Sequence, residues 1–200
     1  MFVTLKPLVL ASNSPRRRAY FEDLGLDFTV YSTDIDEQLR TDEDPDHLVR
    51  RLAREKALAV CHLFPASWVV AADTVVCAGD RVLGKPRDRD EAVSMLLSLA
   101  GRMHTVRTGF CVACATEGVD VRRAVVSSVW FSAFGEEVAQ AYAATGEPLD
   151  KAGAYGIQGK GAFLVERIAG SYSNIVGLPL CQVLRVLLHH KVVAPLRQEG

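Results

Sequence analysis

The chain has 200 residues, of which 49% are hydrophobic, and a formal net charge of −1 from 23 basic and 24 acidic side chains. This apolar content is ample for a folded core and excludes a disordered chain. Because proteins that bind the nucleic acid backbone are usually clearly basic, the charge balance favours a small charged ligand over a nucleic acid partner. The length suits one α/β domain over residues 1–200, or two tightly joined lobes.

Neither a membrane segment nor a secretion signal is evident. No apolar run reaches the roughly 18–20 residues of a membrane span, and residues 1–7 lack the apolar core of a signal peptide. We therefore expect a cytoplasmic protein without a membrane partner. Cys111 and Cys114 have C-x-x-C spacing but lie in a predicted strand, where they point to opposite faces. No second pair completes a metal site, so we interpret the cysteines as ordinary thiols.

Strand and helix patterns alternate along the chain. The predicted strands are 8–11, 28–31, 68–77, a short one ending at 83, 103–115, 120–132 and 162–168. The predicted helices are 15–24, 45–63, one from 88 to 101, 135–145 and 178–190. Ser14-Pro15 and Asp44-Pro45 are cap-then-proline helix starts. This order predicts an α/β fold with a mixed twisted sheet flanked by helices.

A basic segment stands between the first of these strands and its helix, with the sequence Ala11-Ser12-Asn13-Ser14-Pro15-Arg16-Arg17-Arg18. Backbone N–H groups at a helix N-terminus are unpaired, and the helix dipole is positive there. Arginines are unfavourable at that end unless an anion binds, and arginine grips phosphate oxygens in a fork geometry. The segment predicts a phosphate cradle, with a solvated basic helix end as the alternative.

Two charged residues interrupt apolar patterns. Lys56 falls near the centre of the apolar stripe of helix 45–63, so it must either extend to solvent or meet a negative partner such as a phosphate or carboxylate. Asp73 stands inside the apolar strand 68–77. A buried carboxylate is costly unless it is paired or binds a metal, although one that caps nearby backbone is also possible.

Further along the chain, Gly84-Lys85-Pro86 presents one cation at a strand-to-helix junction. The segment 147–161 contains four glycines, which permit close approach of backbone to a ligand. Gln158 in this segment offers both a donor and an acceptor, as reading a base edge requires. A plain flexible loop is the alternative for this segment.

Carboxylates accompany these cations. Glu37 lies in the acidic segment 32–44, where Asp34 and Asp36 are equally plausible metal ligands by pattern. Two carboxylates with phosphate oxygens and waters can build a Mg²⁺ or Mn²⁺ site. Such a set is suited to metal-assisted attack of water on phosphorus.

The sequence resembles the Maf nucleotide pyrophosphatases over nearly its whole length. The matching stretches are Leu10-Ala11-Ser12-Asn13-Ser14-Pro15-Arg16-Arg17, Arg51-Leu52-Ala53-Arg54-Glu55-Lys56-Ala57, Ala72-Asp73-Thr74-Val75-Val76, Gly84-Lys85-Pro86, 101–108, 146–159 and Gly177-Leu178-Pro179-Leu180. The resemblance implies hydrolysis of a nucleoside triphosphate between its α- and β-phosphates with a divalent cation, in a house-cleaning role. It also implies an elongated domain like that of inosine triphosphate pyrophosphatases, with a cleft between two lobes, and a homodimer.

The resemblance also assigns individual residues. Those assigned to substrate are Ser12, Arg16, Lys56, Thr74, Lys85 and Gln158. Among them, Arg16, Lys56 and Lys85 would hold phosphates. Glu37 and Asp73 would hold the metal, and Asp73 would be the general base unless metal binding is its whole role.

Three of these positions distinguish branches of the family by substrate. Arg16, Thr74 and Gln158 are typical of members that act on dTTP and UTP, whereas the 7-methyl-GTP branch carries Trp, Gln and Glu there. A 7-methyl-GTP pyrophosphatase is therefore the alternative enzyme. A non-enzymatic regulator is the alternative of another class, since Maf-like proteins are also associated with inhibition of septum formation in cell division.

Overall fold

A computed structural model describes residues 1–32, 34–35, 40 and 43–196. The strands are β1 (Phe2–Thr4), β2 (Leu8–Leu10), β3 (Thr29–Val30), β4 (Trp68–Ala78), β5 (Arg81–Leu83), β6 (Met103–Cys114), β7 (Val119–Phe131), β8 (Val165–Ala169) and β9 (Val193–Pro195). The helices are α1 (Pro15–Asp23), α2 (Pro45–Leu63), α3 (Arg89–Leu99), α4 (Glu136–Ala144), α5 (Tyr172–Val176) and α6 (Leu180–His189). Within these ranges, no helix combines the length and apolar character needed to cross a membrane.

The main sheet mixes parallel and antiparallel pairs. Its hydrogen-bonded neighbours follow the order β3-β2-β4-β6-β7-β8, and β5 pairs with β4. β2 is parallel to both β3 and β4, whereas β5 and β8 are antiparallel to β4 and β7. β1 and β9 pair separately. The prediction of an α/β fold with a mixed sheet is thus confirmed.

The chain divides into two compact units. The first comprises Met1–Asp73, Thr108–Ala124 and Gly177–Gly200, and the second comprises Thr74–Arg107 and Val125–Val176. The strands β4, β6 and β7 contribute residues to both units. The single domain over residues 1–200 and the cleft between lobes stay predictions.

In the first unit, α2 packs closely on the sheet. Ala57 of this helix belongs to one buried cluster with Val69 and Ala71 of β4. At Gly109 of β6, a Cβ atom would overlap the backbone carbonyl of Val49, so only glycine permits this approach of helix and strand. The short distance lets other side chains on the same face of α2 reach the strands.

The core of the second unit contains a cluster of rings. Nε2 of the buried His104 lies 2.8 Å from Oη of Tyr155, and the ring of Phe131 packs edge-on against both. Gly153 adopts a φ of +68°, and a Cβ atom there would lie 2.9 Å from the side chain of Val76. This part of the glycine-rich segment is therefore folded against the core.

The structure differs from the sequence expectations mainly after residue 146. The segment 147–161 is not a plain loop, because it contains 3₁₀ helices at Glu147–Asp150 and Ala152–Ala154 and the start of a third, Gly159–Leu164. That third helix takes up the first residues of the predicted strand 162–168, so β8 begins at Val165. The last helix begins at Leu180 rather than 178, because Pro179 occupies the N-cap.

Candidate active site

The basic segment follows β2 at the carboxyl end of the sheet. Leu10 pairs with Val70 in the parallel register, and the N–H of Ala11 donates to the carbonyl of Val70 at 2.8 Å. Continuing this register brings the buried Ser12 level with the residue that precedes Asp73 in β4. Because adjacent strands are about 4.8 Å apart, the turn that follows β2 lies beside the middle of β4, where Asp73 stands.

The Ser12 hydroxyl organises the turn into α1. It accepts hydrogen bonds from the N–H of Ser14 and from Nη1 of Arg17, both at 3.2 Å. Nε of Arg17 donates to the carbonyl of Gly177 at 2.7 Å. Ser14 is the N-cap as predicted, but among the described residues its side chain makes no capping bond. Arg17 therefore fixes the turn, while the half-buried Arg16 precedes it at the helix start.

Lys56 and Asp73 form an ion pair in the first unit. Nζ of Lys56 lies 2.7 Å from Oδ1 of Asp73, and their side chains are only 16% and 12% exposed. Asp73 alternates with Ala71 and Val69 along β4, so it faces α2, which packs there through Ala57. Of the alternatives that the sequence left open, Lys56 has a carboxylate partner and does not simply extend to solvent.

The acidic segment is described only in part. Glu37, the predicted metal ligand, and its competitor Asp36 lie outside the described residues, whereas Asp34 is described and exposed. At the end of this segment, Glu43 receives two hydrogen bonds of 2.7 Å from the guanidinium of Arg51 on α2. Glu43 thus connects the end of the acidic segment to α2, the helix that carries Lys56.

The Glu43–Arg51 pair is largely buried, with 4% and 8% of the two side chains exposed. Hydrogen bonds from Arg51 lower the pKa of Glu43 to about 2, against the opposite effect of burial. The same guanidinium donates from Nη1 to Glu55 at 3.2 Å. Sequence reasoning missed this pair, because charges eight residues apart across a helix start give no periodic signal.

The remaining predicted residues belong to the second unit. Thr74 is half-buried in β4. Lys85 is exposed in the turn between β5 and α3. Gln158 is exposed immediately before the 3₁₀ helix that begins at Gly159. Within the described part of the chain, the side chains of Lys85 and Gln158 take part in no hydrogen bond or ion pair.

Comparison with known families identifies the chain. A family model described as Maf-like protein matches residues 7–190. The chain belongs to the Maf family. The stretches that carried the resemblance in the sequence lie within this matched range, and Ser12, Lys56 and Asp73 belong to the first unit.

Curated relatives match this Maf protein over most of their length. A protein named dTTP/UTP pyrophosphatase from Desulfotalea psychrophila is 53% identical, over 97% of this chain and 100% of its own. Proteins of the same name from Myxococcus xanthus and Nitratidesulfovibrio vulgaris are 51% and 46% identical, over 90% and 96% of this chain and 90% and 91% of their own.

Solved structures of lower identity share the Maf fold. The Staphylococcus aureus Ham1 protein has a TM-score of 0.51 at 16% identity, with 93% of this chain and 100% of that chain covered. A HAM1 protein from Coxiella burnetii has a TM-score of 0.52 at 16% identity, with 92% and 100% covered. These similarities concern the fold alone, and they agree with the predicted fold class.

Asp73 fits one part of the divalent metal site expected of a Maf protein. Its carboxylate is a hard oxygen ligand, and Mg²⁺ commonly binds one or two carboxylates together with waters and phosphate oxygens. Within the described ranges, no three His, Cys, Asp or Glu side chains are grouped so that they could hold a metal ion. If Asp73 holds a metal ion, the described residues therefore supply at most one further such side chain beside it, and the other ligands would be substrate oxygens, waters or residues outside the described ranges.

Sequence reasoning also missed the structural contacts of Arg17 in the basic segment. Consecutive helical residues point about 100° apart, so Arg16 and Arg17 leave α1 in different directions. The structure shows that Arg17 faces inward to Ser12 and Gly177. The helical rotation of about 100° per residue indicates that the side chains of Arg16 and Arg17 point in different directions. It does not show which of the two faces inward.

Proposed function

We propose that this Maf protein hydrolyses dTTP and UTP to the nucleoside monophosphate and pyrophosphate. Relatives that share about half of its residues over nearly full length carry the name dTTP/UTP pyrophosphatase. The activity belongs in the cytoplasm, as the sequence led us to expect. The observation that carries the proposal is the mostly buried Lys56–Asp73 pair, which the strand register places beside the turn of Ser12 at the carboxyl end of β2.

The residues around this pair and this turn are suited to phosphate chemistry. Cleavage of a phosphoanhydride develops negative charge on the leaving pyrophosphate, which fixed cations and N–H donors stabilise. Arg16 and Lys56 supply such cations, and the start of α1 adds the positive end of a helix dipole. Ser12 keeps the turn in place through its bonds with Ser14 and Arg17.

Asp73 has one of two roles in this proposal. Its carboxylate either accepts the proton of the attacking water or binds the Mg²⁺ or Mn²⁺ ion. The bound ion would neutralise phosphate oxygens and lower the pKa of a water ligand. In both roles the hydrogen bond from Lys56 fixes the orientation of the carboxylate.

Base selection is proposed for Arg16, Thr74 and Gln158. The exposed amide of Gln158 makes no internal hydrogen bond to the described residues, so it can donate and accept at the edge of uracil or thymine. A 7-methylated guanine carries a positive charge, which a neutral amide would not compensate. We therefore expect selectivity for dTTP and UTP over 7-methyl-GTP.

Initial rates of pyrophosphate release from dTTP, UTP and 7-methyl-GTP test this function. The reactions are run with Mg²⁺ and with Mn²⁺, singly and with pairs of nucleotides in competition. Faster release from dTTP and UTP than from 7-methyl-GTP supports the proposal. A preference for 7-methyl-GTP would overturn the substrate assignment, and absence of pyrophosphate with every nucleotide would overturn the reaction itself.

A further inference from the structure

The turn that carries Gln158 is held by two side chains from outside it. Tyr142, a buried residue of α4, accepts a hydrogen bond from the N–H of Gly156 at 3.1 Å. The same hydroxyl donates to Oε1 of Glu147 at 2.8 Å. Tyr142 therefore connects the start of the turn to the Glu147 carboxylate.

Glu147 holds the other end of the turn. Its carboxylate accepts hydrogen bonds from the N–H of Lys160 at 3.0 Å and from the N–H of Gly161 at 3.1 Å. Burial alone would raise the pKa of Glu147, but the hydrogen bonds from Tyr142 and these two N–H groups outweigh it, so that the pKa lies below its ordinary value. The carboxylate thus stays ionised at neutral pH and accepts three hydrogen bonds.

The shape of the turn is matched to this pair. At Gly161, a Cβ atom would overlap Oη of Tyr142. At Gly159, which has a φ of +79°, a Cβ atom would lie 3.1 Å from Oε2 of Glu147. The close approach to Tyr142 therefore requires glycine at position 161, and the positive φ favours glycine at position 159.

The fixed points of the turn lie on both sides of Gln158. Gly156 is two residues before it and Lys160 is two residues after it, and each N–H is bonded to the Tyr142–Glu147 pair. The Gln158 side chain itself is exposed and has no hydrogen bond within the described part of the chain. The backbone that carries this side chain is therefore held by Tyr142 and Glu147.

We propose that Tyr142 and Glu147 are positioning residues that fix Gln158 for base recognition and thereby set the discrimination among nucleotides. This inference rests on the function proposed above, in which Gln158 reads the pyrimidine edge. Neither residue touches substrate, and each acts through the backbone on either side of Gln158. Loss of Tyr142 or Glu147 keeps the amide group of Gln158 but releases the backbone that carries it.

The test uses Tyr142→Phe and Glu147→Gln, with Tyr172→Phe and Glu137→Gln as matched controls at exposed positions of the same unit. Because misplacement by about 1 Å can cost up to a hundredfold, we expect kcat/KM for dTTP to fall by roughly tenfold or more. The fall should appear mainly in KM. The ratio of kcat/KM for dTTP to that for 7-methyl-GTP should fall, while inhibition by pyrophosphate, which has no base, stays within about twofold.

A double-mutant cycle with Gln158→Ala separates positioning from general stabilisation. If Tyr142 acts through Gln158, Tyr142→Phe has little further effect on discrimination once the amide is gone. Amide hydrogen exchange at Lys160 and Gly161 should accelerate in Glu147→Gln, which reports the release of the turn independently of activity. The Tm of each variant is measured beside its control.

Two results would overturn the inference. One is an equal loss with dTTP, 7-methyl-GTP and pyrophosphate, which indicates general damage to the fold. The other is an undiminished effect of Tyr142→Phe in the Gln158→Ala background. Failure of the proposed function is separate, because it would appear as the absence of pyrophosphate release from dTTP by the unaltered protein.

Discussion

Nζ of Lys56 donates a hydrogen bond of 2.7 Å to Oδ1 of Asp73, and both side chains are mostly shielded from water. The two residues come from different elements, α2 and β4, that meet on one face of the sheet. Removal of one member of such a pair leaves an uncompensated buried charge. The pair therefore links the stability of the first unit to the placement of its central carboxylate.

Lys56→Met should destabilise the protein by about 3 kcal/mol or more, because Asp73 then remains buried without its partner. The double variant Lys56→Met, Asp73→Asn should recover most of this loss, since no charge is left uncompensated, and should still be inactive. Urea unfolding at pH 7 measures the stability of the single and the double variant. Arg50→Met, an exposed change on the same helix, serves as the control. A double variant no more stable than Lys56→Met would contradict the role of the pair.

Arg17→Lys should reduce kcat/KM for dTTP by roughly tenfold or more, because lysine cannot bond Ser12 and Gly177 at once with a planar fork. Arg18→Lys is the matched control, since Arg18 forms an exposed pair with Glu22 on the same helix. Such exposed helix pairs contribute about 0.3–0.5 kcal/mol. Equal activities of the two variants would show that the Arg17 contacts do not position the turn.

Glu43→Gln should destabilise the first unit by about 3 kcal/mol, because the Arg51 guanidinium stays buried and loses the closer of its two carboxylate partners, Glu43 and Glu55. Since the pKa of Glu43 is lowered to about 2, its contribution is present above pH 4.5 and is lost as the pH falls toward 2. Urea midpoints from pH 7 to pH 3 test this, with the exposed Glu22→Gln as the control. If Glu43→Gln were as stable as Glu22→Gln, the Glu43–Arg51 pair would not contribute to the stability of the protein.

His104 should make the protein sensitive to mild acid. Burial lowers the pKa of His104 from 6.5 to about 4, so the unfolded chain binds a proton in that pH range while the folded chain does not. The contribution of the neutral imidazole is complete above pH 6.5 and decreases by up to about 3 kcal/mol as the pH falls to 4.

The variant His104→Phe tests this pH dependence of the unfolding free energy. The variant loses the hydrogen bond to Tyr155 and should be less stable at pH 7, but its unfolding free energy should change less between pH 7 and pH 4 than that of the unaltered protein. His62→Gln, at an exposed position, should keep the original pH dependence. Parallel curves for His104→Phe and the unaltered protein would show that His104 does not titrate as described.

Much of the fold could be predicted because its signals are local. Pro45 begins α2, and the Asp44 side chain accepts hydrogen bonds from Asp46 and His47 at its N-terminus. Asp88 caps α3 in the same way, through a bond from Glu91. Cap residues act within one helical turn, so the sequence alone shows them.

Features that depend on distant contacts were not predictable. β1 pairs with β9 across nearly the whole chain, and neither three-residue strand has a periodic pattern. The sequence indicated that Lys56 could have a negatively charged partner, but not that this partner is Asp73. Only the packing of α2 on β4 brings Lys56 and Asp73 together. The folding of the segment 147–161 likewise depends on Tyr142, outside that segment.

The most direct test of the account is phosphorus-31 NMR of dTTP during turnover by the unaltered protein, Asp73→Asn and the exposed control Asp27→Asn. We expect dTMP and pyrophosphate to appear together in equal amounts with the unaltered protein and with Asp27→Asn. With Asp73→Asn the rate should fall by about a hundredfold or more. Formation of dTDP and free phosphate, or full activity of Asp73→Asn, would contradict the account.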